Sequence, residues 1–332
     1  MKTAPDYWYD VSKKIPLSSR LLSHLYRWIS ERRRKHYQNN VKNVYYAPVP
    51  VVVVGNINVG GTGKTPLAIA LIQFLKLKGF HPALISRGYG GKAESFPQLV
   101  HGDSDPSMIG DEPLLIAQKT AVPVVVDPNR KRGLQFLLKT SSKVNVIISD
   151  DGLQHYAMGR DMEIVVVDGN RRFGNLHLLP AGPLRESILR IEQVDFVVCN
   201  GGVPQTGEVT MSLVTKNAYQ LNGENSQPLS VFCDQTVHAI AGIGNPQRFF
   251  HALEHQRLKV IPHSFADHYH YAVEDCQFND GLPVLMTEKD AVKCQKFNLE
   301  NAWAVPVETE LPTSFYGQFL DKLTSIKRFA NG

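Results

Sequence analysis

The stretch "VPVVVVGNINVGGTGKTPLAIALIQFLKLKG", residues 49–79, decides the fold expected of this chain. It begins with a run dominated by valine, which is typical of a buried strand in a parallel sheet. The segment after the glycines is apolar enough for a buried helix, and Gly79 is a typical helix stop. Strand, glycine-rich turn and helix together predict the first βα unit of an α/β protein.

The glycine-rich turn, "GNINVGGTGKTP" (55–66), resembles a phosphate-binding loop with one departure. Gly63, Lys64 and Thr65 match the end of the G-x-x-x-x-G-K-[ST] pattern, whereas Asn58 stands where that pattern has glycine. Asparagine tolerates left-handed backbone conformations better than most residues, so the loop can keep its shape. Pro66 falls in the first turn of the helix, where N–H groups have no intrahelical partner and a missing donor costs little.

A loop of this kind binds phosphate through backbone N–H groups and the positive end of the following helix. We expect Lys64 to reach the β- and γ-phosphates of a nucleotide and Thr65 to ligate Mg²⁺. The residues predicted to bind the nucleotide at this loop are Asn58, Gly60, Gly61, Thr62, Gly63, Lys64 and Thr65. The alternative interpretation is a glycine-rich turn that carries an incidental lysine.

A metal-binding carboxylate is expected at the end of a neighbouring strand. The segment "VNVIISDDG" (144–152) provides one, because an apolar run ends there in Asp150 and Asp151. Aspartate is also common at strand ends as a turn or cap residue, which is the alternative.

Phosphoryl transfer further needs a group that orients or deprotonates the acceptor. Three candidates stand in short motifs: Asp111 in "GDEP", Glu186 in "GPLRE" and His268 in "FADHYHY". Each signal is weak by itself, because an aspartate before a helix is often a cap. The histidines of the last region, with Asp267, could equally form a metal cluster or lie on the surface; they are His263, His268 and His270.

Strands and helices alternate along most of the chain, which predicts a doubly wound, mostly parallel α/β sheet of the P-loop NTPase type. We predict a P-loop kinase core over 41–202 and a connector over 203–235. We predict a smaller α/β domain over 236–332. Loops that leave the carboxyl ends of strands in both domains are expected to line a cleft between them.

The N-terminal segment 1–40 accounts for the whole net positive charge of the chain. The chain of 332 residues carries +5 overall, yet this segment has nine Lys/Arg against three acids. Six apolar residues recur there at helical spacing, and they are Leu17, Leu21, Leu22, Leu25, Trp28 and Ile29. A basic amphipathic helix of this kind suits an anionic membrane surface. Packing on its own domain and a nucleic-acid arm are the alternatives, but no nucleic-acid-binding module follows.

Composition excludes several classes of protein. Apolar residues make up 43% of the chain, so wholesale disorder is not expected. The first residues lack a secretory signal, and the longest apolar run is too short to span a bilayer. The four cysteines show neither metal-ligand spacing nor a disulfide framework, which fits a reducing compartment.

Eight segments, in chain order, resemble the tetraacyldisaccharide 4'-kinases of lipid A synthesis in Gram-negative bacteria. They are "GNINVGGTGKTP", "SRGYGG", "GDEP", "DDGLQH", "GPLRE", "AIAGIGNPQRFF", "FADHYHY" and "TEKDAVK", and they run over nearly the whole chain. In that family "GNxxxGGxGKT" is the normal loop, so Asn58 departs from the general pattern but not from the family's.

The resemblance implies transfer of the γ-phosphate of ATP to the 4'-hydroxyl of a tetraacylated glucosamine disaccharide 1-phosphate, with Mg²⁺ as the metal ion. It implies an anionic lipid substrate and a protein on the cytoplasmic face of the bacterial inner membrane, attached through its N-terminal helix. No nucleic-acid partner is expected.

The resemblance also assigns roles to residues. It implies that Asp111 and His268, not His263 or His270, form the acidic–histidine pair that activates the sugar hydroxyl, with Lys64 on the phosphate. The residues assigned to the metal region are Thr65, Asp150, Asp151 and Glu186. Those assigned to the lining of the same site are Arg87, His155 and Arg185.

Two other functions are also compatible with the sequence. One is a P-loop kinase or ATP-dependent ligase with a soluble acceptor, which should not need residues 1–35. The other is a GTPase-like nucleotide switch, which usually carries an N-K-x-D base-reading motif; "TEKD" (287–290) lacks its asparagine.

Overall fold

The computed structural model describes residues 4–10, 12–221, 223 and 225–326, so residues 1–3 and 11 of the predicted segment 1–40 and residues 327–332 of the predicted domain 236–332 lie outside it. Its helices are α1 (Leu17–Asn39), α2 (Lys64–Leu77), α3 (Pro106–Ile109), α4 (Asp111–Thr120), α5 (Arg130–Thr140), α6 (Pro246–His255), α7 (Glu288–Cys294) and α8 (Thr313–Thr324). Its strands are β1 (Val51–Gly55), β2 (Pro82–Ser86), β3 (Gln98–Val100), β4 (Val124–Val126), β5 (Val146–Asp150), β6 (Met162–Asp168), β7 (Phe196–Asn200), β8 (Val209–Val214), β9 (Asn217–Gln220), β10 (Ser226–Pro228), β11 (Thr236–Ala241), β12 (Lys259–Ser264), β13 (Val284–Thr287), β14 (Ala302–Val305) and β15 (Glu308–Glu310).

The larger sheet has nine strands in the order β15-β8-β7-β6-β1-β5-β2-β4-β3. The strands from β8 to β4 run parallel, and the two edge strands pair antiparallel with their neighbours. All five residues of the central β1 are buried, because helices cover both faces of the sheet. Val52 and Val54 face the core formed with α2, α4 and α8, whereas Val51 and Val53 face the core formed with α5. The predicted doubly wound, mostly parallel sheet is confirmed.

The six strands that apolar runs predict for this sheet are all present; they were predicted over 49–55, 82–88, 122–127, 144–152, 163–169 and 194–202. Five are shorter than predicted, and β6 begins one residue earlier than predicted. The edge strand β3 was not predicted, because three residues are too few to show a period of two. Its pairing with β4 is decided by the fold and not by its own sequence.

The smaller sheet has six strands in the order β10-β9-β14-β13-β11-β12. Its four strands from β14 to β12 are parallel, with β9 and β10 added antiparallel at one edge. Helix α6 packs on one face through Phe249, Phe250 and Leu253. Helix α7 packs on the other face through Ala291 and Cys294. We call the two sheets with their helices the large lobe and the small lobe.

The chain crosses between the lobes differently from the predicted segments. Within the predicted connector 203–235, β8 belongs to the large sheet while β9 and β10 belong to the small one. Within the predicted domain 236–332, β15 returns to the large sheet, and α8 buries Phe315, Phe319 and Leu323 in the large core. A segment's own pattern does not reveal which sheet edge it joins, because edge strands are short and mixed in polarity. The domain limits thus stay a prediction.

Helix α1 attaches to the large lobe by its polar side. The hydroxyl of Ser23 donates to the Leu178 carbonyl at 2.9 Å, and that of Tyr26 donates to the Arg185 carbonyl at 3.1 Å. The apolar side faces outward, with Leu17 72% exposed and Trp28 57% exposed. The alternative in which this apolar side packs on its own domain is therefore wrong.

In the part of the chain that the structure describes, no helix has the length and apolar character needed to cross a membrane.

Candidate active site

The phosphate loop runs between β1 and α2 at the carboxyl edge of the large sheet. Gly63 precedes the first residue of α2 and has φ +97°, a conformation that favours glycine. A Cβ atom at that position would stand 2.4 Å from the Asn200 amide nitrogen, so the loop also lacks room for a side chain. Lys64 and Thr65 begin the helix, and Pro66 lies in its first turn, as predicted.

Two buried asparagines fix the loop through hydrogen bonds from their side chains. The Asn56 amide nitrogen donates to the Gly60 carbonyl and to the Thr62 hydroxyl, both at 3.2 Å. The Asn58 amide nitrogen donates to the Arg172 carbonyl at 2.6 Å. Asn58 does not have a positive φ, so this position does not need the glycine of the general pattern. Asn56 was not predicted, although it belongs to the same motif.

Asp150 is the last residue of β5, the neighbour of β1, and Asp151 follows it, so both aspartates lie near Lys64 of the phosphate loop. The Lys64 ammonium lies 3.8 Å from an oxygen of Asp151, and the Arg185 guanidinium donates to both oxygens of Asp151 at 3.0 and 3.2 Å. Burial by itself would raise the pKa of Asp151, but Lys64 and Arg185 lower it to about 2. Asp151 is therefore ionised at neutral pH.

Asp150 is the other carboxylate of this pair, and its environment is different. It is 1% exposed, and burial, with Glu112 and Asp151 adding to it, raises its pKa to about 7 against the opposing effects of Lys64 and Arg130. Its Oδ1 atom is buried with no hydrogen-bond partner among the described residues. A buried carboxylate oxygen with no donor, beside a second carboxylate and a threonine at a phosphate loop, fits a divalent cation.

No group of three or more His, Cys, Asp or Glu side chains arranged to hold a metal was found in the described ranges. Mg²⁺ usually binds one or two carboxylates and completes its shell with phosphate oxygens and water.

Several basic side chains gather near the two aspartates. Arg130, which was not predicted, is 2% exposed and donates to the main-chain oxygens of Asp127 and Asp150 at 3.1 and 3.0 Å. Burial lowers its pKa to about 10, opposed by Asp150 and Asp151. Arg87, which follows β2, is exposed and lies close enough to influence Arg130 electrostatically.

His155 lies among these cations. Burial, and then the charges of Arg130 and Arg87, lower the pKa of His155 to about 3. Its imidazole is therefore neutral at neutral pH and can donate or accept a hydrogen bond without carrying charge.

Glu186 takes part in a hydrogen-bond network around the turn of His155. Its two oxygens accept hydrogen bonds from the Gln154 amide and the Tyr156 hydroxyl, each at 2.7 Å, and the Arg190 guanidinium lies 3.5 Å away. These contacts hold the turn that carries His155. Each carboxylate oxygen keeps a further lone pair, so the metal role of Glu186 stays a prediction.

Asp111 and His268 come from different lobes and meet in the cleft. Asp111 is the first residue of α4 and is 3% exposed. The His268 Nδ1 atom lies 3.0 and 3.1 Å from its two oxygens. Burial would raise the pKa of Asp111, but His268, Lys289 and Lys293 lower it; burial would lower the pKa of His268, but Asp111 raises it. Each group thus stabilises the charged form of the other.

Two lysines of α7 that were not predicted support this pair. The Lys289 ammonium lies 2.9 Å from Glu112 of the large lobe, 3.0 Å from Asp267 and 3.5 Å from the His268 Nε2 atom. The Lys293 ammonium lies 2.8 Å from Asp290 and 3.7 Å from Asp111. Their only sequence signal was the charged face of "TEKDAVK", which by itself is also typical of a solvated helix.

The small lobe also contacts the phosphate loop. Asn200 of β7, in the large lobe, links the two. Its amide nitrogen donates to the Thr62 carbonyl of the loop at 2.8 Å, and its oxygen accepts from Arg248 of α6, in the small lobe, at 2.7 Å. A Cβ atom at Gly244 would stand 3.2 Å from the Gly61 nitrogen. The loops from the carboxyl ends of both sheets thus meet, as predicted.

The other candidate residues named in the sequence analysis do not bind Asp111. The His263 Nε2 atom lies 2.9 Å from the His238 Nδ1 atom, away from Asp111. His270 lines a cavity of about 50 Å³ beside Asp111 and His268. Asp290 of "TEKD" is fully buried and accepts from the Gly242 nitrogen and the Thr287 hydroxyl, so it serves the small lobe's structure and not base recognition.

A phosphate loop with its lysine, two aspartates at the next strand, and an acid–histidine pair in the same cleft define the class of nucleotide-dependent phosphotransferases of the P-loop type.

Comparison with known proteins gives the particular family. The model of the family described as "Tetraacyldisaccharide-1-P 4'-kinase" matches residues 17–324. A tetraacyldisaccharide 4'-kinase of Nitrosococcus oceani is 49% identical over 96% of this chain and 93% of its own length. One of Stenotrophomonas maltophilia is 46% identical over 97% of both. A crystal structure of LpxK from Aquifex aeolicus in complex with ATP has a TM-score of 0.75 and 30% identity, covering 91% of this chain and 97% of that one. The chain belongs to the tetraacyldisaccharide 4'-kinase family.

Proposed function

We propose that this cleft carries out the family's reaction with the residue roles derived below. The chain is a kinase that uses ATP to phosphorylate the 4' position of a tetraacyldisaccharide 1-phosphate in lipid A biosynthesis. The observation that carries the proposal is that the phosphate loop and the Asp111–His268 pair open into one cleft between the lobes. A soluble acceptor is disfavoured by the exposed apolar side of α1.

The phosphate loop binds the nucleotide through the N–H groups of residues 60–65, and Asn56 and Asn58 keep those groups in position. Lys64 offsets the charge of the transferring phosphoryl group. Thr65, Asp150 and Asp151 would hold Mg²⁺, which would supply neutralisation of the charge that develops on the phosphate groups. Glu186 holds the turn of His155 and is kept as a candidate for the metal region, because each of its oxygens accepts only one hydrogen bond and has a further lone pair.

Asp111 accepts the proton of the sugar hydroxyl, and His268 orients the accepting oxygen through Nδ1. The lowered pKa of Asp111 makes it a weak base. A weak base is sufficient here, because the loose transition state of phosphoryl transfer releases the hydroxyl proton late. Arg87, Arg185 and the neutral His155 line the adjoining surface, where they bind and orient anionic substrate groups.

The outward side of α1 is proposed to lie on the cytoplasmic face of the inner membrane. Its six apolar residues are each more than half exposed, and basic residues flank them. The Tyr26–Arg185 and Arg185–Asp151 contacts join this helix directly to the catalytic cleft. A membrane-bound acceptor would thus reach the cleft without leaving the bilayer surface.

The reaction is tested by incubating the protein with γ-labelled ATP and a lipid extract and locating the label by mass spectrometry. We expect label at the 4' position of the tetraacyldisaccharide 1-phosphate, and none with Lys64→Ala. Label on a water-soluble acceptor instead would contradict the proposed acceptor.

The membrane contact is tested by vesicle flotation of the double variant Leu21→Ser/Leu25→Ser. We expect it to lose most of its vesicle binding, because it removes two exposed leucines from the middle of the apolar side. Leu77→Ser is the matched control, since Leu77 is 85% exposed on α2. Equal binding by both variants, or full activity of a protein lacking residues 1–35 without detergent or lipid, would contradict the membrane role.

A further inference from the structure

A recess of about 320 Å³ lies where α1 meets the loop of His177, outside the catalytic cleft. It is lined by Arg20, Ser23, His24 and Arg27 of α1 and by His177. This lining contains two arginines and two histidines and no carboxylate. We propose that the recess binds a phosphate group of a membrane lipid.

The two guanidinium groups are available for such a ligand. In the described ranges, neither Arg20 nor Arg27 has an ion pair or a side-chain hydrogen bond to a protein acceptor. By contrast, Arg172 pairs with Glu208 at 2.6 Å and Arg185 pairs with Asp151 at 3.0 Å. A guanidinium presents a rigid fork of N–H donors that matches phosphate oxygens, so two of them with imidazoles beside them favour a phosphate anion.

The position of the recess on α1 indicates a lipid source. Arg20 precedes Ser23 and His24 by three and four residues, and Arg27 follows them by four and three, so the four residues form one stripe of the helix. Ser23, 8% exposed and bonded to the Leu178 carbonyl, marks the side that docks on the lobe. The stripe thus lies between the docked side and the exposed apolar side. If the apolar side enters a bilayer, as proposed above, this boundary is at the depth of the lipid headgroups.

Two lipids can bring a phosphate to this place. Tyr26, which bonds to Arg185 of the cleft, follows Arg20 by six residues on α1, roughly 9 Å along the helix axis. The recess is therefore near enough to the cleft to bind the 1-phosphate of the proposed acceptor, and it is equally accessible to the headgroup of a neighbouring phospholipid. The shared chemistry is a phosphate oxyanion at the membrane surface.

The site itself is tested by titrating inorganic phosphate into the full-length protein and following the imidazole resonances of His24 and His177 by NMR. We expect saturable shifts in the wild type and about tenfold weaker binding in Arg20→Gln/Arg27→Gln, which loses charged hydrogen-bond donors. The control Lys13→Gln/Lys14→Gln removes the same charge from exposed residues outside the recess and should bind phosphate like the wild type. No saturable shift in the wild type, or equal affinity in the two double variants, would overturn the proposal.

The source of the phosphate is distinguished by two further measurements on the same variants. If it is the acceptor's own, Arg20→Gln/Arg27→Gln raises KM about tenfold for the 1-phosphorylated acceptor and leaves KM unchanged for the dephosphorylated one. If it is a phospholipid's, this variant loses more binding than the control to phosphatidylcholine vesicles containing phosphatidylglycerol, and both KM values change equally. Identical behaviour of the two double variants in both assays would refute a lipid-phosphate site. The NMR titration contains neither ATP nor acceptor, so its failure is distinct from failure of the kinase proposal.

Discussion

The phosphate loop and the Asp111–His268 pair lie in the same cleft but are held by different kinds of contact. The loop is one strand–turn–helix unit, fixed by a positive-φ glycine and by Asn56 and Asn58 of its own motif. The pair joins residues 157 positions apart in sequence and from different lobes, and it is supported by Lys289 across the same boundary. The loop is therefore complete within the large lobe, whereas the pair exists only while the two lobes stay together.

This difference predicts different consequences of mutation. Changes in the loop should remove nucleotide chemistry whatever the arrangement of the lobes. Changes around the pair should affect the step that uses the acceptor hydroxyl and should leave ATP binding largely intact, because Lys64 and Asp151 lie on the loop side.

The largest effect is expected from Lys64→Ala. Loss of the ammonium that offsets phosphoryl charge should lower kcat by about 10³-fold or more. The measurement is transfer of label from γ-labelled ATP, with the melting temperature as a check on folding. Normal turnover of this variant would show that Lys64 does not act at the phosphate site. The predicted difference between the phosphate loop and the Asp111–His268 pair would then be wrong.

Asp111→Ala should come next. Without the carboxylate that accepts the hydroxyl proton, kcat should fall about 10²–10³-fold. The KM for ATP should change little, because the loop is untouched. Asp321→Ala, an exposed acid on α8, is the control and should leave both parameters unchanged. A parallel loss of kcat and ATP affinity in Asp111→Ala would argue against a base.

Lys289→Met should have an intermediate effect. The substitution leaves Glu112 and Asp267 without the cation that both of them contact, and it removes one contact that positions His268. We therefore expect kcat to fall about tenfold. Lys289→Arg keeps the charge and should recover part of the loss, whereas Lys139→Met, on the exposed side of α5, should have no effect. If Lys289→Met lowers only the melting temperature and leaves kcat intact, the lysine joins the lobes without positioning the pair.

The smallest expected effect is on the pH dependence of folding stability. The folded-state pKa of Asp111 is lowered, so its contribution is present above its unfolded value of about 4 and is lost as pH falls through the lowered value. The folded-state pKa of His268 is raised, so its contribution is present below its unfolded value of about 6.5 and is lost as pH rises through the raised value. Both contributions are therefore fully present between about pH 4 and 6.5.

His268→Gln should accordingly lower the melting temperature by a few degrees in that window and by less at higher pH. Thermal denaturation of wild type and variant across the pH range measures this. A difference that grows steadily with pH would contradict the ionic interaction between Asp111 and His268.

Much of the fold and part of the site could be predicted from short contiguous patterns. Valine runs are buried on both sides of a parallel sheet whatever lies beside them, which is why β1, β5 and β6 were found. The short edge strands β3 and β15 could not be assigned, because their neighbours decide their pairing. Arg130 and Asn200 were missed for a related reason: each becomes a site residue only through contacts with distant chain segments.

The sequence by itself determined the phosphate loop, because its glycines, Lys64 and Thr65 are contiguous and their chemistry follows from their spacing. It also predicted, within the segment 1–40, a helix with one apolar side, which the structure contains as α1. Only the tertiary structure decided which side of that helix faces outward. From the residues alone, the roles of His263, His268 and His270 could not be assigned. The family resemblance selected His268 for the acidic–histidine pair. The structure places it on Asp111, because the packing of α4 against α7 brings the two lobes' strand ends together.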